Sequence, residues 1–154
     1  MTIRFLDGAV VALALCMLQD PGISDAQEPA PSDTRSVWDG IFTVDQAKRG
    51  EASYQSGCAS CHGDSLKGAG ESPALTGSAF MSNWSGLPLA DLYERIRRTM
   101  PKDNPARITR QQKIEILAYI LSANKFPSGS VDLPRQPELL KLIRIEANKP
   151  EAKR

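Results

Sequence analysis

The chain has 154 residues, of which 41% are hydrophobic and 24% are charged, and its formal net charge is +1. This composition is that of a globular protein, and the length is typical of one compact domain. The charge is too small and too evenly distributed to indicate nucleic-acid binding, which is therefore excluded from the expected functions.

The N-terminal segment has the pattern of a secretory signal peptide. Residues 9–18 form an unbroken apolar run behind Arg4, and this run is about half as long as the roughly twenty residues of a membrane-spanning helix. Small residues at Ser24 and Ala26 fit the usual cleavage rule. We therefore expect residues 1–26 to be removed on export to the periplasm, with no stable membrane insertion afterwards. An uncleaved anchor is the alternative.

A flexible leader rich in proline and polar residues is expected at residues 27–36, before a domain that we place at residues 37–126. The first helix of this domain is predicted to begin after Thr43, because Thr43-Val-Asp-Gln46 has the pattern of a capping box. This helix runs into the motif CASCH at residues 58–62.

The CASCH motif contains the only histidine of the chain and the two cysteines that remain after removal of Cys16. A redox disulfide of the C-x-x-C type is expected within a βαβ pattern, which the sequence lacks. A structural zinc ion needs four ligands, and no other histidine or mature cysteine completes that set. The C-x-x-C-H pattern is typical of covalent haem c attachment. We therefore predict one haem c attached through Cys58 and Cys61, with His62 as a ligand of the iron.

Methionine is the candidate for the sixth iron ligand, because no second histidine is present. Met81 is interpreted as a residue that fills a gap in the core or lines the haem pocket, a common use of methionine. Met100 follows an amphipathic helix and precedes Pro101, which breaks the helix and stiffens the loop. We expect Met100 to be the ligand.

Two amphipathic helices follow the CASCH motif. The apolar stripe of the first consists of Leu89, Leu92, Tyr93 and Ile96, and its expected outward ion pairs are Asp91 with Arg95 and Glu94 with Arg98. The second begins at the capping-box pattern Thr109 to Gln112, and its stripe consists of Ile114, Leu117, Ala118 and Leu121. No segment shows convincing period-two alternation. The predicted fold is all-α, with three to five helices and irregular loops wrapped around one haem.

A C-terminal extension is expected at residues 127–154, with its last residues disordered. It contains a short predicted helix whose apolar side consists of Leu139, Leu142 and Ile143. We expect this helix to fold back over the core, and a docking element for a partner is the alternative.

The chain resembles the class I cytochromes c over roughly residues 43–124. In that family a glycine and an aromatic residue before the first haem cysteine pack against an aromatic residue of the C-terminal helix. The matching residues here are Gly50, Tyr54 and Tyr119. The family's proline-x-leucine is matched by Pro73 and Leu75. This match implies that the Pro73 carbonyl accepts the Nδ1 proton of His62 and fixes the orientation of the ring.

Longer stretches are similar to small bacterial monohaem cytochromes related to the cytochrome domains of quinoprotein (PQQ-dependent) alcohol dehydrogenases. These stretches are VWDGIFTVDQAKRGEASYQSGCASCHG, WSGLPLADLYERIRRTMP and LSANKFPSG. Within the second, Trp84 is expected to reach a haem propionate through its indole N–H, and plain packing is the equal alternative.

The expected function is that of a periplasmic one-electron carrier and not of an enzyme, because His62 and Met100 together leave no open position on the iron. The expected donor is a dehydrogenase, such as one of the quinoprotein type, and the expected acceptor is a terminal oxidase or another cytochrome. Two alternatives remain. One is a haem enzyme or small-ligand sensor with an open sixth position, and the other is a fixed cytochrome subunit of a dehydrogenase complex.

Overall fold

The computed structural model describes residues 34–151. The expected signal peptide, residues 1–26, lies outside the described residues, as do residues 27–33 of the expected leader and the last three residues of the chain. Among residues 34–151, no helix combines the length and the apolar character that crossing a bilayer requires.

The described residues form six α-helices, one 3-10 turn and two very short strands. In chain order they are β1 (Arg35–Ser36), α1 (Val44–Gly57), α2 (Ala59–His62), α3 (Gly77–Trp84), α4 (Leu89–Thr99), the 3-10 turn (Pro105–Arg107), α5 (Arg110–Ala123), α6 (Pro137–Leu140) and β2 (Ile143–Arg144). The predicted all-α class is confirmed. The number of helices exceeds the expected three to five because α2 and α6 are single turns of four residues.

Helix α1 begins as expected, but the capping box at its start is only half formed. The Thr43 side chain accepts the backbone N–H of Gln46 at 3.0 Å. The Gln46 side chain does not return to Thr43. Instead its amide donates to the Leu133 carbonyl at 3.0 Å and accepts the Leu133 N–H at 2.7 Å. Gln46 is 1% exposed, so this pair of bonds satisfies a buried amide and ties α1 to the segment after α5.

Helices α1 and α5 cross in close contact. A Cβ added at Gly50 would lie 1.9 Å from the carbonyl oxygen of Glu115, so the two backbones approach more closely than any side chain at Gly50 would allow. Farther along the same contact, the rings of Tyr54 and Tyr119 lie with their centroids 5.4 Å apart. The expected aromatic contact between these helices is confirmed, and it fixes the end of α1 from which the CASCH motif continues.

The apolar stripes predicted for α4 and α5 are both buried. On α4 the exposed fractions are 0% for Leu89, 2% for Leu92, 1% for Tyr93 and 9% for Ile96, and all four stripe residues of α5 are 0% exposed. The capping box that opens α5 is complete. The ion pairs predicted on α4 are wrong, because Glu94 pairs with Arg97 at 2.7 Å and not with Arg98. Asp91 and Arg95 do not form an ion pair among the described residues.

The segment after α5 packs on the helices and joins the two ends of the described chain. Strand β2 pairs in parallel with β1, and the indole Nε1–H of Trp38 donates to the Glu146 carbonyl at 2.9 Å. Residues 35 and 36 were expected to belong to a flexible leader, and that boundary is wrong because their backbone pairs with β2. Ser36 is also buried, at 5% exposed.

The predicted apolar side of the C-terminal helix is also wrong in part. Leu139 is 47% exposed, whereas Leu140 and Ile145 are completely buried. The reason is that α6 ends at Leu140 and the chain then changes to the extended conformation of β2. A helical periodicity therefore does not continue from Leu139 to Ile143.

Candidate functional site

The CASCH motif begins where α1 ends and forms a helical turn of its own. Cys58 caps α1 and also precedes α2, with φ −131° and ψ −32°. The backbone N–H groups of Cys61 and His62 donate to the Cys58 carbonyl at 3.1 and 3.0 Å. Cys58 is half-buried and Cys61 is exposed, and both thiols are free. The bond from the Cys61 N–H to the Cys58 carbonyl places the two cysteines one turn apart, which is the spacing of a C-x-x-C-H motif.

The His62 ring is held in one orientation by the loop that follows the motif. Its Nδ1 lies 2.9 Å from the carbonyl oxygen of Pro73, and His62 is 9% exposed. A carbonyl oxygen only accepts hydrogen bonds, so Nδ1 carries the proton and donates it, and Nε2 keeps a free lone pair. The contact expected between His62 and Pro73 is therefore present, and it leaves Nε2 as the nitrogen available to a metal.

The loop between His62 and Pro73 owes its shape to backbone contacts. The Gly68 N–H donates to the His62 carbonyl at 2.9 Å, and the Leu75 N–H donates to the Leu66 carbonyl at 2.8 Å. Gly68 has φ +79°, and a Cβ there would lie 2.5 Å from the Ser72 carbonyl oxygen. Only glycine combines this conformation with this close approach, so Gly68 allows the loop to bring Pro73 back to the His62 ring.

These donors fit a covalently attached haem. Haem c needs two thiols one helical turn apart for the vinyl groups and one imidazole nitrogen with a free lone pair for the iron. Cys58, Cys61 and Nε2 of His62 meet these requirements. Within residues 34–151, no group of three or more His, Cys, Asp or Glu residues is arranged to hold a metal ion.

Two cations lie near the half-buried thiol of Cys58. Burial raises the pKa of the Cys58 thiol, and the positive charges of Arg107 and Lys113 partly oppose this increase. The Arg107 guanidinium also donates to the Gly57 carbonyl at 3.4 Å, while the Ile108 side chain would touch a Cβ added at Gly57. The chain that follows Met100 therefore returns to the end of α1, directly beside the CASCH motif.

Met100 lies where α4 ends. Its backbone N–H donates to the Ile96 carbonyl at 3.1 Å, and its φ of −122° and ψ of 139° turn the chain out of the helix. The residue is half-buried. Its role as the sixth ligand stays a prediction. The segment after Met100 packs against Gly57, at the end of α1, through Arg107 and Ile108, which agrees with that role.

The other predicted residues occupy neighbouring elements. Met81 lies on α3, packs against the core and lines a cavity of about 280 Å³ that also contains Trp38 and Phe126. Trp84 ends α3 and is half-buried against the same core. Leu75 is half-buried, and its carbonyl accepts a hydrogen bond from the Asn124 side chain at 2.9 Å. The haem contacts expected for Leu75 and Trp84 stay predictions.

Sequence reasoning missed two residues that support the site. Asn124 binds both the Leu75 carbonyl and the Gly77 N–H, which ties the loop after Pro73 to the end of α5. Lys113 lies at the start of α5 and is 3% exposed. Lys113 precedes Leu117 by one helical turn, so its place on the buried face of α5 was visible in the sequence as a lysine on an apolar stripe.

Comparison with protein families gives one match. The family model described as cytochrome C oxidase, cbb3-type, subunit III matches residues 45–120. This range begins in α1, includes the CASCH motif, Pro73 and Met100, and ends in α5. No curated protein and no solved structure matches the chain.

Proposed function

We propose that this protein, whose residues 45–120 are a class I c-type cytochrome domain with a covalently attached haem c, is a one-electron carrier. In this proposal His62 and Met100 would hold the haem iron. When bound, the haem supplies an iron that exchanges one electron between its ferric and ferrous states. The observation that carries the proposal is the hydrogen bond from His62 Nδ1–H to the Pro73 carbonyl, because it leaves Nε2 of the same ring free to bind an iron.

A carrier function follows from the number of protein ligands. C-type cytochromes generally transfer electrons and are not enzymes themselves. If His62 and Met100 both held the iron, no coordination position would be open to a substrate. Thioether ligation stabilises the ferrous state relative to a second imidazole, so we expect a positive reduction potential.

The proposed place of action is the periplasm. Cytochrome c domains usually work outside the cytoplasm, and the apolar run at residues 9–18 has the length of a signal-peptide core. The proposed donor is a dehydrogenase, such as a quinoprotein, and the proposed acceptor is a terminal oxidase or another cytochrome. The description of the matched family as an oxidase subunit supports an oxidase as acceptor. A steady-state assay with purified partners tests the proposed donor and acceptor. If no periplasmic dehydrogenase reduces the haem of this protein, the proposed donor is refuted.

A test of the ligand assignment uses the absorption spectrum of the ferric holoprotein. Methionine sulfur on ferric haem c gives a weak charge-transfer band at the red end of the visible spectrum. We expect this band in the wild type, its loss in Met100→Ala and its retention in Met81→Ala. A wild type that binds haem without this band, and whose ferrous form binds CO rapidly, would instead be an enzyme or sensor with an open position.

A fixed subunit of a larger oxidoreductase is the second candidate, because the matched family is described as an oxidase subunit. It uses the same haem ligands and differs only in its attachment to a partner. Purification from native membranes and from the periplasmic fraction separates the two. A free carrier is recovered without a stable partner, whereas a subunit co-purifies with its complex.

A further inference from the structure

The ammonium group of Lys113 joins the two ends of the loop that contains Met100. Its Nζ donates to the Arg97 carbonyl at 2.9 Å and to the Pro105 carbonyl at 2.6 Å. Arg97 lies in the last turn of α4, and Pro105 is the first residue of the 3-10 turn. Residues 98–104 comprise the last two residues of α4 and the chain up to the 3-10 turn, and they are here called the Met100 loop. This segment is held between the two carbonyls.

The Arg97 carbonyl needs a donor from outside its own helix. In a continuing helix this oxygen would accept the N–H of the residue four positions later. That residue is Pro101, which has no N–H. Lys113 supplies the missing donor, and a positive charge at this end of α4 is also favoured by the helix dipole.

The position of Lys113 is otherwise unfavourable for a lysine. Its side chain is 3% exposed, and burial lowers its pKa, with the neighbouring Arg97 guanidinium adding to this effect. It also lies near the start of α5, where the helix dipole disfavours a cation. A buried ammonium is costly unless it is hydrogen-bonded, so the two carbonyls of the loop account for its presence.

A second set of contacts connects the same loop to the CASCH motif. The Arg107 guanidinium donates to Asp103 at 2.7 Å inside the loop and to the Gly57 carbonyl at 3.4 Å at the end of α1. Lys113 thus fixes the span of the Met100 loop, and Arg107 fixes its distance from the motif.

We propose that Lys113 is a positioning residue that holds the Met100 loop closed and thereby keeps the Met100 sulfur on the haem iron. The second half of this proposal rests on the proposed function, in which Met100 is the ligand. The first half concerns the loop alone and is measurable separately.

The test compares Lys113→Met with wild type as haem-loaded proteins. Methionine keeps most of the apolar stem and removes all three donors. We expect amide hydrogen exchange in residues 98–104 to become at least about 10-fold faster, since charge-assisted hydrogen bonds to two carbonyls are lost. We also expect imidazole to bind the ferric haem at least about 10-fold more tightly, because Met100 is displaced more easily. Lys48→Met, at an exposed lysine of α1, is the matched control and should behave as wild type.

The two measurements decide between the whole proposal, its first half alone and neither half. Unchanged exchange in the Met100 loop overturns the proposal as a whole. Faster exchange with wild-type imidazole affinity overturns the positioning of Met100. If the wild type lacks the methionine charge-transfer band, the ligand assignment itself has failed, and faster exchange in Lys113→Met would then support only the closed loop. Should Lys113→Met not accumulate with haem, Lys113→Gln retains one donor group and is judged by the same two measurements.

Discussion

Gly50 and Glu115 meet so closely that a single added methyl group would overlap with backbone, since a Cβ at Gly50 would lie 1.9 Å from the Glu115 carbonyl oxygen. We predict that Gly50→Ala lowers the free energy of unfolding by about 1–3 kcal/mol or more, because α1 and α5 must separate. Urea denaturation of the holoprotein measures this loss. Gln55→Ala, at an exposed position of the same helix, is the control. Alanine favours helices over glycine, so a more stable Gly50→Ala protein would show that the helices separate without cost.

The contact between Tyr54 and Tyr119 predicts a measurable coupling. Their ring centroids are 5.4 Å apart, and Tyr54 is completely buried. In a double-mutant cycle with leucine at each position, we expect a coupling free energy of about 0.5–1.5 kcal/mol from the aromatic pair. If the change in unfolding free energy of the double variant equalled the sum of the two single changes, a direct interaction between the rings would be contradicted.

The Tyr54 hydroxyl has a separate role, because it donates to the Gly63 carbonyl at 2.6 Å, directly after the CASCH motif. We predict that Tyr54→Phe lowers the free energy of unfolding by about 0.5–1.5 kcal/mol, the usual contribution of one hydrogen bond. Thermal or urea denaturation of the holoprotein measures the change. Stability equal to wild type would mean that water replaces the hydroxyl without loss.

Two adjacent leucines of α6 should differ sharply in how much stability their replacement by alanine removes. Leu140 is 0% exposed and Leu139 is 47% exposed. We predict that Leu140→Ala costs about 2–5 kcal/mol of unfolding free energy because it leaves a cavity. Leu139→Ala, its matched control, should stay within about 0.5 kcal/mol of wild type. Equal effects of the two substitutions would show that the C-terminal segment does not pack as described.

The ion pair between Glu94 and Arg97 predicts a pH dependence. Its hydrogen bonds hold the pKa of the Glu94 carboxyl below its usual value. The unfolded chain therefore binds the proton more readily, so the pair stabilises the fold above the ordinary glutamate pKa and loses this effect as pH falls through the lower, folded pKa. Glu94→Gln should reduce the loss of stability on acidification, measured by urea denaturation across the acid range. Glu71→Gln, at an exposed glutamate, is the control.

The parts of the fold that the sequence predicted are those with a local signal. The capping pattern at Thr109 and the buried stripes of α4 and α5 depend on residues at most one or two turns apart. The CASCH motif likewise carries its thiols and imidazole within five residues. The family resemblance added the longer-range contacts of Tyr54 with Tyr119 and of His62 with Pro73.

The contacts that escaped prediction join distant parts of the chain without a repeating pattern. Gln46 binds the Leu133 backbone and not Thr43. Strands β1 and β2 have two residues each, too few to show alternation in a sequence. The role of Lys113 depends on Pro101, which lacks the N–H that the Arg97 carbonyl would otherwise accept. It also depends on a chain path that brings the Pro105 carbonyl beside that of Arg97, so only the three-dimensional arrangement reveals it.

The hydrogen bond from Trp38 to Glu146 can form only late in synthesis of the chain, since its partners are 108 residues apart. A ribosome releases Trp38 long before it makes Glu146. The helices α1 and α5, and the CASCH motif between them, are complete in the growing chain while the partner of Trp38 has yet to be synthesised. The two ends of the described chain therefore make their contact after the segments that hold the haem have all emerged.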